Sequence, residues 1–111
     1  MKILYYEPEE AIRTIHRNYL IQHNINIEDV GTRDEFVEKL QMWKWDLIIS
    51  DVDLYTDNDY RDWIDYIGHY CKNIILTTAT PFSLEKNNIL YKPFKRDELL
   101  DCIAITLHGG T

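Results

Sequence analysis

The stretch "DLIISDVDLY" carries two carboxylates, Asp51 and Asp53, one residue apart and just after the apolar residues Leu47, Ile48 and Ile49. A charge at the edge of a buried element is costly without a partner, so this pair calls for a metal ion, a lysine or solvent. Other apolar runs also end on residues with chemistry. "KILYY" leads to Glu7, then Pro8 and Glu9; "NIILT" leads to Thr77 and Thr78; "NILYK" ends on Lys92, ahead of Pro93. Carboxylates, a hydroxyl and a lysine on one rim suit phosphoryl chemistry. An aspartate can take a phosphoryl group as a nucleophile, and Asp51, behind its apolar run, is the best placed. Mg²⁺ bound through oxygens would neutralise the phosphoryl oxygens. An ammonium and a hydroxyl could hold the remainder.

The elements that must position these residues are legible in the apolar pattern. The runs at 2–6, 46–50, 73–77 and 88–92 are continuous rather than alternating, as expected of strands buried on both faces of a parallel sheet. Residues 25–30 alternate and suit an edge strand. Helical spacing lies between. Ile12, Ile15 and Tyr19 predict a helix over 9–23, with Pro8 at its first position. "TRDE" from Thr32 to Glu35 is a capping box opening a helix toward Met42. Trp63, Ile67 and Tyr70 mark a helix over 59–71, and Leu99, Ile103 and Leu107 another over 96–107. Alternating strands and helices build an open α/β sheet with right-handed crossovers, in which function gathers beyond the carboxyl ends of the strands. Only nine residues separate Ala79 from Ile89, and Pro81 is among them. A full helical crossover needs a dozen or more, so a loop or a single turn is expected there.

The 111 residues fit one domain spanning 1–111, long enough to bury roughly two-thirds of the unfolded surface. A net charge of −7 argues against a nucleic-acid partner, which would require a basic face. No run approaches the ~18 apolar residues of a membrane span and no signal-peptide pattern opens the chain, so a cytoplasmic protein without a membrane partner is expected. Cys71 and Cys102 are expected to be reduced thiols. His16, His23, His69 and His108 have no metal-ligand spacing. The "WKW" at 43–45 and the pair Tyr5–Tyr6 read as core packing.

In their order along the chain these pieces resemble the receiver domain of two-component response regulators. "KILYYEPEEAIR" resembles the family's first strand and helix start, and "DLIISDVDL" the strand with the phosphoacceptor. "NIILTTA" resembles the strand with the switch hydroxyl, and "ILYKPFKRDEL" the Lys-Pro-Phe segment that opens the last helix. The resemblance implies a flavodoxin-like, doubly wound five-stranded parallel sheet in the order 2-1-3-4-5. It also implies a cis bond before Pro93 that helps aim Lys92. By position Asp51 matches the phosphoacceptor, Thr78 the switch hydroxyl and Lys92 the family lysine. Glu7, Asp51 and the backbone carbonyl of Asp53 would hold Mg²⁺. The implied partners are a histidine kinase or phosphotransfer protein and a downstream protein, with no DNA-binding output of its own and no enzymatic turnover. A homodimer stays open.

The sequence also departs from the family pattern. Pro8 stands where a second acid would ligate the metal. Even lost outer-shell partners weaken such sites about 10–100-fold, so a weak site is expected. Glu9 suits the first turn of a helix as a dipole partner. Tyr55 and Asp59 replace a proline and a glycine of the family's loop. Ile89 replaces its signalling aromatic, and the fourth helix is shortened or absent. These departures favour, as an alternative, a pseudo-receiver that binds a protein without phosphorylation. "DVDLYT" also resembles the motif of haloacid-dehalogenase-type phosphatases, but that family carries it on the first strand, and here a strand and a helix come first.

Overall fold

The computed structural model describes residues 1–52, 57–79 and 88–108. The elements are β1 (Ile3–Tyr6), α1 (Glu10–Gln22), β2 (Glu28–Val30), α2 (Arg33–Met42), β3 (Leu47–Asp51), α3 (Asp57–Gly68), β4 (Ile74–Thr78), β5 (Asn88–Tyr91) and α4 (Arg96–Leu107). The five strands form one sheet in the order β2-β1-β3-β4-β5, and every pairing is parallel.

The continuous apolar runs are explained by what lies on each side. Ile48 of β3 faces a cluster with Leu4, Phe36, Leu40, Trp63, Ile67 and Leu76, which packs α2 and α3 on one side of the sheet. Its neighbours Leu47 and Ile49 face the other way, toward Tyr5, Leu20, Ile75, Leu99 and Ile103 under α1 and α4. Side chains alternate along a strand, so a strand covered on both faces cannot carry polar residues at either phase. All five residues of β3 and of β4 are buried. Half of the expected capping box is present: Thr32 Oγ1 accepts the Glu35 N–H at 3.1 Å at the start of α2, while the Glu35 carboxylate accepts the Thr32 hydroxyl.

Several local expectations are corrected. The buried stripe of α1 is His16 and Leu20, while Ile15 is 53% exposed. Pro8 is not the first helical residue: it precedes the N-cap, Glu9. The edge strand is limited to Glu28–Val30. Tyr70 is exposed rather than on the buried stripe with Trp63 and Ile67. Of the two tryptophans in "WKW", Trp45 is buried with its Nε1–H donated to the Lys39 carbonyl at 3.0 Å. Trp43 is exposed beneath the Lys2 ammonium, 4.1 Å from its ring centroid. Cys71 and Cys102 are free thiols. The connection expected to be a loop or single turn, and with it the reduced fourth helix, lies outside the described residues, as do Asp53 and Tyr55.

Candidate functional site

Three parallel strands deliver their final residues to one mouth. Glu7 follows β1, its N–H donated to the Val30 carbonyl at 3.1 Å, and its side chain has no solvent exposure. Asp51 is the last residue of β3 and is buried. Lys92 follows β5, its N–H donated to the Thr78 carbonyl at 2.8 Å, and the peptide bond to Pro93 is cis. The Lys92 ammonium reaches both acids. It donates a hydrogen bond to Asp51 Oδ1 and stands 3.0 Å from Glu7 Oε1. The second contact is a charge pair rather than an aligned hydrogen bond, since Glu7 Oε1 meets no donor at hydrogen-bonding angles among the described residues. Burial pulls the Lys92 pKa down, and the hydrogen bond to Asp51 with the charges of Asp51 and Glu7 outweighs it, so the amine is held above the usual lysine range.

The surroundings fix these groups. Glu7 Oε2 accepts the Glu9 N–H at 2.9 Å, so the turn through Pro8 locks the carboxylate. The Glu7 carbonyl accepts Arg13 Nη1–H at 2.8 Å, and Arg13 Nε is paired with Asp29 of β2 at 3.1 Å. Gly31 makes room for this guanidinium: a Cβ there would lie 2.4 Å from Arg13 Nη1. Beneath Asp51, Ser50 Oγ donates to the Asp51 carbonyl at 3.0 Å and accepts Trp63 Nε1–H at 2.9 Å, which ties α3 to the end of β3.

The two threonines separate by register. Thr78 closes β4, buried, beside Tyr91 of β5. Thr77 stands directly across from Asp51, wholly buried, and its Oγ1 has no hydrogen-bond partner among the described residues. Glu9 is the exposed N-cap of α1. Asp59 falls within α3, and its side chain lies outside the described residues.

Tyr5 packs in the core as expected, but its buried partner His16 escaped the sequence reading. Tyr5, two residues before Glu7, has its hydroxyl 2.6 Å from His16 Nδ1. The His16 ring stacks on Phe94, with centroids 5.2 Å apart and planes 23° apart. The available signal was spacing: His16 lies four residues after Ile12 and four before Leu20, on the true inner stripe of α1.

No family model matches the sequence, and no curated protein matches it. Solved structures do. A response regulator receiver protein from Sinorhizobium medicae WSM419 superposes with a TM-score of 0.80 at 16% identity, over 100% of this chain and 97% of the other. A CheY-like response regulator receiver domain protein from Methanospirillum hungatei JF-1 gives 0.80 at 20% identity, over 97% and 94%. The chemotaxis protein CheY4 of Vibrio cholerae gives 0.76 at 24% identity, over 96% and 98%. The fold is that of a response-regulator receiver domain.

On this receiver fold the meeting of Glu7, Asp51 and Lys92 lies beyond the carboxyl ends of β1, β3 and β5, where open α/β sheets collect ligands. The donors suit a hard cation. Mg²⁺ takes oxygen ligands, commonly one or two carboxylates, and keeps several waters. Glu7 and Asp51 supply two carboxylates, and the carbonyl of Asp53, the third expected ligand, lies outside the described residues. Among the described residues no group of three or more acidic, histidine or cysteine side chains is arranged to hold a metal. The two carboxylates that remain both meet the Lys92 ammonium, and a cation held by them would keep much of its water. A separate cavity of about 390 Å³, lined in part by Ile3, Ile25, Leu100 and Leu107, opens at the other end of the sheet, away from the acids. No helix among the described residues is long and apolar enough to cross a membrane.

Proposed function

We propose that this chain is a phosphoacceptor receiver domain: Asp51 takes a phosphoryl group from a histidine kinase or phosphotransfer protein, and the domain then acts through protein contacts. The observation that carries this reading is the Lys92 ammonium, bonded to Asp51 and paired with Glu7 at the rim. An Asp51 carboxylate oxygen attacks the phosphorus of the donor's phosphohistidine. The O–P bond forms as the P–N bond breaks, and the departing imidazole nitrogen takes the bonding pair and a proton from solvent. Lys92 holds a phosphoryl oxygen in exchange for one of its carboxylate contacts, and the Thr78 hydroxyl takes another. Glu7, Asp51 and the Asp53 carbonyl would hold Mg²⁺, whose charge offsets that of the phosphoryl oxygens. Glu7 stays fixed by the Glu9 N–H, so the rim is organised before the donor arrives.

The test is intact mass after incubation with Mg²⁺ and acetyl phosphate, beside an Asp51→Asn control. One phosphoryl mass on the wild type and none on the control is the expected result. A shift that survives in the control overturns the assignment of Asp51. Steady release of phosphate from small phosphomonoesters over many turnovers would point to a phosphatase instead.

A second reading has its own observation. Pro8 removes one acid, and the two that remain already share an ammonium. A site neutralised in this way can serve as a structural ion cluster in a pseudo-receiver that binds its partner unphosphorylated. No mass shift in the test above, together with no detectable Mg²⁺ binding, would favour it.

A further inference from the structure

Tyr5 and His16 form a polar couple inside an apolar layer. Tyr5 is wholly buried among Ile3, Leu20, Leu47, Ile49, Ile75, Leu99 and Ile103. A phenylalanine and a leucine would fill such a space without burying a hydroxyl and a ring nitrogen. The hydrogen bond returns only a small net stabilisation. Direction is what it adds. The Tyr5 hydroxyl lies 2.6 Å from His16 Nδ1. Burial pushes the His16 pKa down, with Glu7 opposing and Lys92 assisting, which favours the neutral ring. The hydrogen bond at Nδ1 fixes the plane of the ring, whichever partner donates.

That plane meets Phe94, two residues beyond Lys92 across Pro93. On its other side Lys92 is pinned to β4 through its N–H and the Thr78 carbonyl. The segment that aims the ammonium is thus held at both ends, by the sheet and by the His16 stack on α1.

We infer that Tyr5 and His16 are positioning residues for Lys92, acting through the stacked ring of Phe94. The inference rests on the reading of Lys92 as a phosphoryl contact. Misplacing a reacting group by about 1 Å can cost on the order of a hundredfold in rate. A loosened stack should lose part of that, about tenfold.

Tyr5→Phe keeps the ring and removes only the hydroxyl. Its initial rate of phosphorylation by acetyl phosphate should fall about tenfold. Ile103→Val, in the same apolar layer but outside the couple, should keep the wild-type rate. Phe94→Leu removes the stack without leaving an unpaired nitrogen in the core, and it should slow the reaction like Tyr5→Phe. It also decides the matter if Tyr5→Phe does not fold. A wild-type rate in Phe94→Leu, or an equal slowing in Ile103→Val, overturns the inference. If the wild type takes up no phosphoryl group, the phosphoacceptor reading has failed, and the Lys92 side-chain ¹⁵N resonance decides this one. A shift in Phe94→Leu but not in Ile103→Val supports it, and no shift overturns it.

Discussion

Replacing Lys92 by methionine isolates what the ion cluster contributes. The stem is kept approximately and the charge is removed. Glu7, with no solvent exposure, and Asp51, at 5%, then face each other without the ammonium. Removing one partner of a buried ion pair costs about 3–5 kcal/mol, because the remaining charge is left desolvated. The Lys92 side chain is itself 21% exposed, which lets water reach the rim and places the expected loss near the lower end, about 3 kcal/mol. A domain of this size is stable by roughly 5–15 kcal/mol, so the variant should fold but melt roughly 10 °C lower. Asp51→Asn should be milder, about 1 kcal/mol, because Lys92 keeps Glu7 as its charge partner. Glu7→Gln/Asp51→Asn/Lys92→Met together should return to within about 1.5 kcal/mol of the wild type, since replacing a whole buried ion group is often neutral. Urea unfolding gives the midpoints, and an unchanged slope shows that the same surface is exposed in each variant. Lys92→Met within about 0.5 kcal/mol of the wild type would mean that the acids do not depend on the ammonium. A triple variant as unstable as the single would mean that the cluster holds the fold, and the case that it is retained for chemistry would be lost.

Three further outcomes follow from the same contacts. Lys92 titrates above its unfolded value of 10.5, so its contribution is complete below pH 10.5 and disappears as pH rises through the folded value. The stability gap between wild type and Lys92→Met should be constant from pH 8 to 10 and close above that range; a gap already closing at pH 8 refutes the raised pKa. Gly31→Ala sets a Cβ against Arg13 Nη1, so the guanidinium must leave the Glu7 carbonyl or Asp29, at about 1–2 kcal/mol in thermal unfolding. The same change should be nearly silent in an Arg13→Ala background. Trp63→Phe loses the Ser50 bond and buried volume, about 2 kcal/mol, whereas Trp43→Phe at its exposed site should fall within ±0.5 kcal/mol by calorimetry.

The central strands were legible because burial on both faces forces a continuous apolar run, a signal that needs no knowledge of partners. The convergence of Glu7, Asp51 and Lys92 was legible for a related reason. Each ends such a run, and parallel strands bring their ends to one edge. The α1 stripe was misread because His16 looks polar in sequence, although a hydrogen bond to Tyr5 lets it sit buried beside Leu20 on the inner face. Thr77 and Thr78 are chemically identical neighbours, and only the register against Asp51 separates their surroundings. The Arg13 clamp joins α1 to β2 across sixteen residues and depends on the missing Cβ of Gly31, which no local pattern announces.

Pro8 shapes the site through its neighbours. The turn through it brings the Glu9 N–H onto Glu7 Oε2. Glu7 then has one oxygen held by the backbone and the other facing Lys92. Its carboxylate is thereby a fixed wall of the site rather than a swinging ligand, and Asp51 is held from below by Ser50 and the strand ladder. Any change of charge on Asp51 must be taken up first by the ammonium that bridges the two acids. Lys92 in turn is joined to β4 through Thr78 and to α1 through Phe94 and His16. Under the proposed function a phosphoryl group on Asp51 would therefore meet Lys92 first, and the contacts of Lys92 lead to β4 and, through Phe94 and His16, to α1.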